Sequence, residues 1–393
     1  MKKIVIIGAS YLQIPLIKKA REMGIETHVF AWEQGATGKD FADFFYPISI
    51  IEKDQILDIC KNIKPAGILS IASDLAMTTV NYIGEKFELI CNSLKCNELT
   101  TNKFLMRNAL HSARLPCPRY FRLNQQSDID KSKVLKLPFI IKPTDRSGSR
   151  GVTKVTDYKH FNDAIQSAFT ESINKEIIIE EFVEGREISV EMISWEGEHQ
   201  FIACTDKVTT GSPGFVEIEH HQPAQLSKAI LLKVIEIVKK SLKALNVSYG
   251  ASHTELIITA NEDIFLVEIG ARMGGDHIGA KLVELSTGYD FVKAVIDVAL
   301  GIPPEVELVS EHYSGICFIT PEPGEVIQIL DNTKLFSEIT ESEISVKPSD
   351  LVAELNESAN RVGYYLYKST KEKFSAGNVQ PIIVKTTQFD TNC

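Results

Sequence analysis

Short apolar runs alternate with helical patterns over the first quarter of the chain. Ile4 to Ile7, Thr27 to Ala31 and Gly67 to Ile71 read as buried strands, and apolar residues recur at helical spacing over Gln13 to Met23, Lys53 to Asn62 and Ala76 to Lys86. This alternation predicts a parallel, doubly wound sheet. Gly8-Ala9-Ser10 follows the first strand, but GASYLQIP lacks GxGxxG spacing and puts Pro15 early in the helix. It reads as a strand-to-helix turn open to a ligand contact rather than as a dinucleotide grip.

A helical stretch from Asn97 to about Tyr120 carries Lys103 and Arg107 and ends at Pro116 and Pro118, which mark a boundary. A strand over Leu137 to Lys142 then runs into the polar loop PTDRSGSRGV. A helix around His160 to Ser172, a strand from Ile177 and a helix over Leu226 to Leu245 follow. His253 to Thr259 and Ile264 to Ile269 are β-rich runs joined by Asn261, Glu262 and Asp263, which favour a turn, so they read as a hairpin. The tail from about Val309 holds strand-like pieces at Ser314 to Ile319 and Val362 to Tyr367 and suggests a small α+β lobe.

At 393 residues the chain is long enough for two or three folding units. Its net charge of −10 argues against a nucleic-acid or anionic-membrane surface, so cations gathered in one place would stand out. The seven cysteines are odd in number and form no CxxC pair, which suggests neither a disulfide framework nor a zinc cluster and fits a reducing cytoplasm. The N-terminal run after two lysines enters glycine and an amphipathic helix without a cleavage-type site. No segment approaches ~20 uninterrupted apolar residues, the length a membrane span requires.

Three places carry candidate chemistry. In the hairpin, Glu255 and Glu268 each stand alone in an apolar strand and face each other, and the second runs on to Gly270, Arg272, Gly274 and Gly275. Mg²⁺ would account for both acids, since it takes one or two protein carboxylates and fills its other positions with phosphate and water; the alternative is an exposed hairpin with surface acids. In the polar loop, Ser147, Gly148, Ser149 and Gly151 allow backbone N–H groups to crowd around oxyanions as a lid, or form a plain surface turn. Lys142 ends the apolar strand FIIK, where an unpaired ammonium is costly to bury. In EEFVEGRE, the strand breaks at Phe182 and Val183, freeing backbone groups for an adenine edge, with Glu187 placed to accept ribose hydroxyls; solvated acids on a strand-loop-strand are the alternative.

Taken in order, these features resemble the ATP-grasp superfamily of carboxylate-amine ligases, over nearly the whole chain. The resemblance implies an N-terminal parallel α/β domain (1–96), an ATP-grasp domain of two α+β lobes (97–308, nucleotide lobe about 119–188) and a C-terminal α+β lobe (309–393). It implies that Lys103 and Lys142 are the two phosphate-binding lysines, that SGSRG is the lid, that Glu180, Glu181 and Val183 form the adenine hinge and Glu187 the ribose contact. It implies Glu255 and Glu268 as magnesium acids and Arg272 as the catalytic arginine. The cofactors implied are ATP and Mg²⁺, with Mn²⁺ able to substitute. One position departs from the pattern: the superfamily commonly has asparagine two residues after the second metal acid, donating an oxygen to the metal, and this chain has Gly270. One magnesium is therefore expected firmly and a second provisionally.

The resemblance implies that a substrate carboxylate is phosphorylated by ATP and then attacked by an amine. Asp206-Lys207-Val208-Thr209-Thr210 with GSPGFVEIEHHQPAQL resembles the subgroup joining L-amino acids, which brings His220 or His221 and Gly275, with Arg272, near small-molecule substrates; the other reading of the histidines is a solvated strand end. His277 is a further candidate, and a homodimer is compatible with the pattern. Two alternatives stand beside this one: a purine-pathway ligase with Arg146 and Arg150 as phosphate contacts, and a non-catalytic nucleotide-binding regulator, which Gly270 favours.

Overall fold

The structure is a computed structural model that describes residues 1–124, 135–146, 148, 150–212, 214–377 and 379–387. The chain forms two compact units of three segments each: Met1–Cys117, Ser189–Cys204 and Leu226–Val309 in the first, Pro118–Ile188, Thr205–Gln225 and Ser310–Cys393 in the second. The first change of unit falls between the prolines at 116 and 118.

The first unit opens with strands β1 (Lys3–Ile7), β2 (Glu26–Phe30), β3 (Phe44–Tyr46) and β4 (Gly67–Leu69), all parallel and ordered β3-β2-β1-β4. Helix α1 (Ile14–Glu22) connects β1 to β2 and α2 (Lys53–Ile63) connects β3 to β4, and α3 (Asp74–Lys86) follows β4. The run Ile4 to Ile7 is continuously apolar because β1 is covered on both faces. Ile4 and Ile6 join a core with Leu16 and Ile17 of α1, whereas Val5 and Ile7 join another with Ile56 and Cys60 of α2 and Val80 of α3. The turn after β1 is occupied by its own side chains. Gly8 has φ 105, Ser10 N donates to Gln13 Oε1 (2.9 Å), and Gln13 Nε2 donates to the Ile71 carbonyl (2.8 Å).

The helical stretch after α3 is two helices, α4 (Leu94–Thr101) and α5 (Lys103–Ser112). Asn102 is extended (φ −112, ψ 110), and its Oδ1 accepts from Phe104 N (3.0 Å) and Leu105 N (3.1 Å), so it ends one helix and caps the next. In the second unit, β5 (Tyr120–Leu123), β6 (Phe139–Pro143), β7 (Thr153–Val155) and β8 (Ile177–Glu181) form an antiparallel sheet ordered β5-β8-β6-β7. Phe161, Ile165 and Phe169 of α6 (Phe161–Glu171) pack with Phe139, Ile141 and Ile179 of that sheet.

Strands β9 (Arg186–Trp195) and β10 (Glu198–Thr209) have residues in both units. Next come β11 (Glu217–Gln222), α7 (Lys228–Ala244), and the hairpin β12 (Gly250–Ile258) and β13 (Ile264–Gly270). After a π turn at Ile278–Leu282 and the short α8 (Val283–Thr287), α9 (Phe291–Ala299) enters the β1 core through Phe291, Val295 and Ile296. In the first unit β12 lies between β13 and β9. In the second, β11 leads to β14 (Tyr313–Phe318). A three-stranded sheet then follows, in which β15 (Gly324–Asp331) is flanked by β17 (Leu351–Val352) and β19 (Ile382–Thr386). Strands β16 (Ile339–Ile344) and β18 (Gly363–Ser369) extend the β14 sheet, in the order β14-β18-β16. Among the described residues, no helix is long and apolar enough to cross a membrane.

Candidate active site

The hairpin brings Glu255 and Glu268 into direct register, His253 opposite Gly270 and Glu255 opposite Glu268, with a bulge just after Glu255. Like charges so placed repel. Each acid meets a cation: Lys103 Nζ lies 3.0 Å from Glu268 Oε1, and His253 Nε2 lies 3.3 Å from Glu255 Oε1. Lys103 is the first residue of α5, positioned by the Asn102 cap, and one turn on the buried Arg107 donates from Nη2 to the Val267 carbonyl (2.6 Å), fixing β13 beside Glu268.

Behind this pair lies a buried dyad. His253 Nδ1 donates to Glu191 Oε1, and Glu191 Oε2 accepts from Gly274 N (3.0 Å). Burial opposes charge on the His253 ring, but Glu191 and Glu255 outweigh it and raise the ring to about 9, so it is an imidazolium at neutral pH. A Cβ at Gly274 would come within 2.6 Å of Glu191 Oε1 and 2.8 Å of His253 Nδ1, which is why glycine stands there. Arg272 makes a two-pronged ion pair with Asp74, the first residue of α3: Nε to Oδ1 at 2.9 Å and Nη2 to Oδ2 at 2.7 Å. Burial again opposes the charge, and Asp74 holds the guanidinium protonated. Among the described residues a Cβ built on Gly275 would meet the Ala72 Cβ at 3.8 Å, and His277 is buried at φ 61 with its ring centroid 5.8 Å from that of Tyr11.

In the second unit, Lys142 on β6 pairs with Glu180 on β8, Nζ to Oε2 at 2.7 Å, and both side chains are almost wholly buried. Glu180 is thus the counter-ion of Lys142. Glu181 faces the other way and takes both prongs of Arg119 (3.0 and 3.1 Å), which holds its carboxyl below the usual range. Val183 is half-buried between β8 and β9, beside Phe182, whose ring carries Lys154 Nζ 3.6 Å from its centroid. Glu187 meets Lys207 (3.1 Å), which also reaches Glu217 (3.4 Å). Gly148 and Gly151 both take φ 69, a left-handed conformation that suits glycine; Ser147 and Ser149 lie outside the described residues. His220 and His221 are both buried, so the solvated strand end is ruled out. His220 stands edge-on to Phe318, and His221 bonds Tyr367 (2.8 Å) and Glu219 (2.7 Å), which ties β11 to β18.

A family model described as an ATP-grasp domain matches residues 135–280. Residues 135–280 thus resemble an ATP-grasp domain. It is 27% identical over 294 residues to alanine–anticapsin ligase of Bacillus subtilis (strain 168), covering 66% of this chain and 62% of that protein. It is 30% identical over 177 residues to D-alanine–D-alanine ligase of Flavobacterium johnsoniae, covering 43% and 54% respectively. The chain therefore spans less than two thirds of either relative. By fold it matches L-amino acid ligase from Bacillus licheniformis with a TM-score of 0.82 at 22% identity, over 94% of both chains. It also matches phosphoribosylglycinamide synthetase from Anaerococcus prevotii with a TM-score of 0.77 at 20% identity, over 98% of this chain and all of that one.

ATP-grasp enzymes use ATP and Mg²⁺, and the first unit of this chain suits a hard cation. Two half-buried carboxylates stand side by side, and among the described residues no group of three or more His, Cys, Asp or Glu side chains forms a ready ligand cage. Mg²⁺ habitually accepts that arrangement, because substrate phosphates and water complete its shell. Gly270 adds no donor. Sequence reasoning missed Asp74, Glu191 and His253 and left Lys207 without a role. Glu191 was detectable by the signal that found Glu255 and Glu268, a lone acid in an apolar strand, ISVEMISW. Asp74 gave none, since an acid after a helix-capping serine is ordinary.

Proposed function

We propose that this ATP-grasp protein is an ADP-forming carboxylate-amine ligase that joins L-amino acids. The observation that carries the reading is the cross-strand pair Glu255 and Glu268, in direct register with Lys103 on Glu268. The ligase names of its relatives support the same class.

In this reading Glu255 and Glu268 hold Mg²⁺, which when bound neutralises charge on the β- and γ-phosphates. Lys142 and Lys103 neutralise phosphate oxygens, each kept extended by its own carboxylate partner, Glu180 and Glu268. The hinge at Val183 takes the adenine edge, and Glu187, steadied by Lys207, takes the ribose. A substrate carboxylate oxygen attacks the γ-phosphorus and ADP leaves. The amine nitrogen of the second substrate then attacks the acyl phosphate carbonyl, phosphate leaves, and the nitrogen loses its proton. Arg272 stabilises the negative charge on the transferring group and on the tetrahedral species, so no protein nucleophile is required. His220 or His221, Gly275 and His277 are proposed to line the amino-acid side, and Mn²⁺ to replace Mg²⁺. Cytoplasmic residence is proposed from the free cysteines at 60, 91, 96, 117, 204 and 317.

The match to phosphoribosylglycinamide synthetase favours a second reading, ligation of a phosphoribosyl amine. Against it, Arg146 donates from Nε to the Glu171 carbonyl at the end of α6 rather than standing ready for a phosphate. Incubation with ATP, Mg²⁺ and pools of L-amino acids should release ADP and phosphate in step with a new amide. No amino-acid-dependent ADP release across a broad panel rejects the first reading, and release with phosphoribosylamine alone establishes the second.

A further inference from the structure

Gly270 stands where the superfamily commonly has an asparagine, and the structure gives it a neighbour. A Cβ built on Gly270 would lie 2.7 Å from Asp74 Oδ1 and 3.1 and 3.2 Å from Nε and Cζ of Arg272. Any side chain at this position, asparagine included, collides with the ion pair as it stands. We propose that Gly270 and Asp74 act together to position Arg272: the missing side chain leaves the room in which the Asp74 carboxylate fixes the guanidinium for the transferring group. The proposal rests on the ligase reading for what Arg272 does, and not for how it is held.

Asp74 is well placed to act as an anchor rather than as a loose surface acid. Ser73 caps α3, its Oγ accepting from Ala76 N (3.2 Å), so Asp74 occupies the first helical position, where a negative charge is favoured. The preceding turn is fixed at two further points. Ala72, at φ 58, donates its N–H to the Met273 carbonyl (3.2 Å), and the Ile71 carbonyl accepts from Gln13 Nε2 (2.8 Å). Met273 is therefore tied to the segment between β4 and α3, and Arg272 to the first residue of α3. A two-pronged carboxylate fixes the plane of a guanidinium as well as its place. Of the five N–H donors, Asp74 takes two and the Met273 carbonyl takes one from Nη1 (3.3 Å), so a ligand can still be met.

The groups that a new side chain would strike are the mobile ends of Asp74 and Arg272, not backbone. A substitution at Gly270 should therefore leave the fold standing and displace the pair, which makes the idea testable by a double-mutant cycle on Gly270→Ala and Asp74→Ala. Each single variant is expected to lower kcat for amino-acid-dependent ADP release about 10- to 100-fold, the scale of a misplaced catalytic group, with the KM for ATP unchanged. In the Asp74→Ala background, adding Gly270→Ala should change kcat by less than about threefold, because the atom it strikes hardest, Asp74 Oδ1, is gone and Arg272 is no longer held against the new side chain. Effects that simply multiply, or a folded Gly270→Ala enzyme with full kcat, overturn the proposal. The same four proteins are melted in parallel, and the shifts in Tm should again be less than additive. That second readout separates the two ideas: if the parent protein releases no ADP, the ligase reading fails, while additive Tm shifts sink the Gly270–Asp74 link by themselves.

Discussion

Glu191 has no exposed surface, so the fold must satisfy its carboxyl, and it does so through His253 and the Gly274 N–H. Removing one member of a buried charged pair strands the other, at a cost of about 3–5 kcal/mol. Glu191→Ala should lose stability on that scale in urea unfolding. Glu255 and Glu268, the acids proposed to hold the metal, behave differently, because they are half-buried. Glu268→Gln should keep its melting temperature within a few degrees while ADP release falls about 10²- to 10³-fold, the scale for losing one electrostatic contact to a developing charge. A Tm unchanged together with full activity would remove Glu268 from the mechanism. His199 gives a pH signature. Burial beside Ser194 pushes its ring down to about 4, while in the unfolded chain it titrates near its ordinary value of about 6.5. The unfolded state therefore binds the proton first as pH falls, so this contribution is complete above the unfolded value and is lost on descending toward the folded one. Thermal melts of His199→Gln should show a shallower fall in Tm over that window than the parent protein.

At the scale of elements, the break between α4 and α5 decides where Lys103 points. Asn102 ends one helix and caps the next, so Lys103 enters α5 at its first position and reaches Glu268. Asn102→Ala should cost about 1 kcal/mol of stability through the lost cap, and should also lower ADP release by loosening Lys103. A variant that loses the stability but keeps full turnover would show that the cap does not position the lysine. The break was not legible in the sequence, where Asn97 to Tyr120 reads as one helical stretch, because asparagine is tolerated inside a helix and only the capping geometry reveals its use. Strand β3 escaped for a different reason. It is three residues at the edge of the sheet, Phe44 to Tyr46, too short for any periodicity to register. By contrast β1 and β4 announced themselves, since strands covered on both faces are read as short apolar runs.

At the scale of the whole molecule, the metal is expected to serve the chemistry and not the fold. The carboxylates already have partners in Lys103 and His253, and the cores of both units are built from apolar side chains. Chelation of divalent ions should abolish ADP release and leave the melting curve unchanged, and added Mg²⁺ or Mn²⁺ should restore turnover; unfolding on chelation would contradict this. The sequence by itself determined what depends on near neighbours. It gave the parallel sheet from its apolar runs, the hairpin from its turn, and Glu255, Glu268 and Lys142 as charges set in apolar strands. Only the tertiary structure decided which groups each of these meets. Arg272 is 198 positions from Asp74, His253 is 62 from Glu191, and Lys103 is 165 from Glu268. Local pattern can mark a buried charge as out of place, because burial is written in the residues beside it. It cannot name the partner, since the chain returns to that point through long-range packing, and the room left by Gly270 has meaning only once Asp74 stands in it.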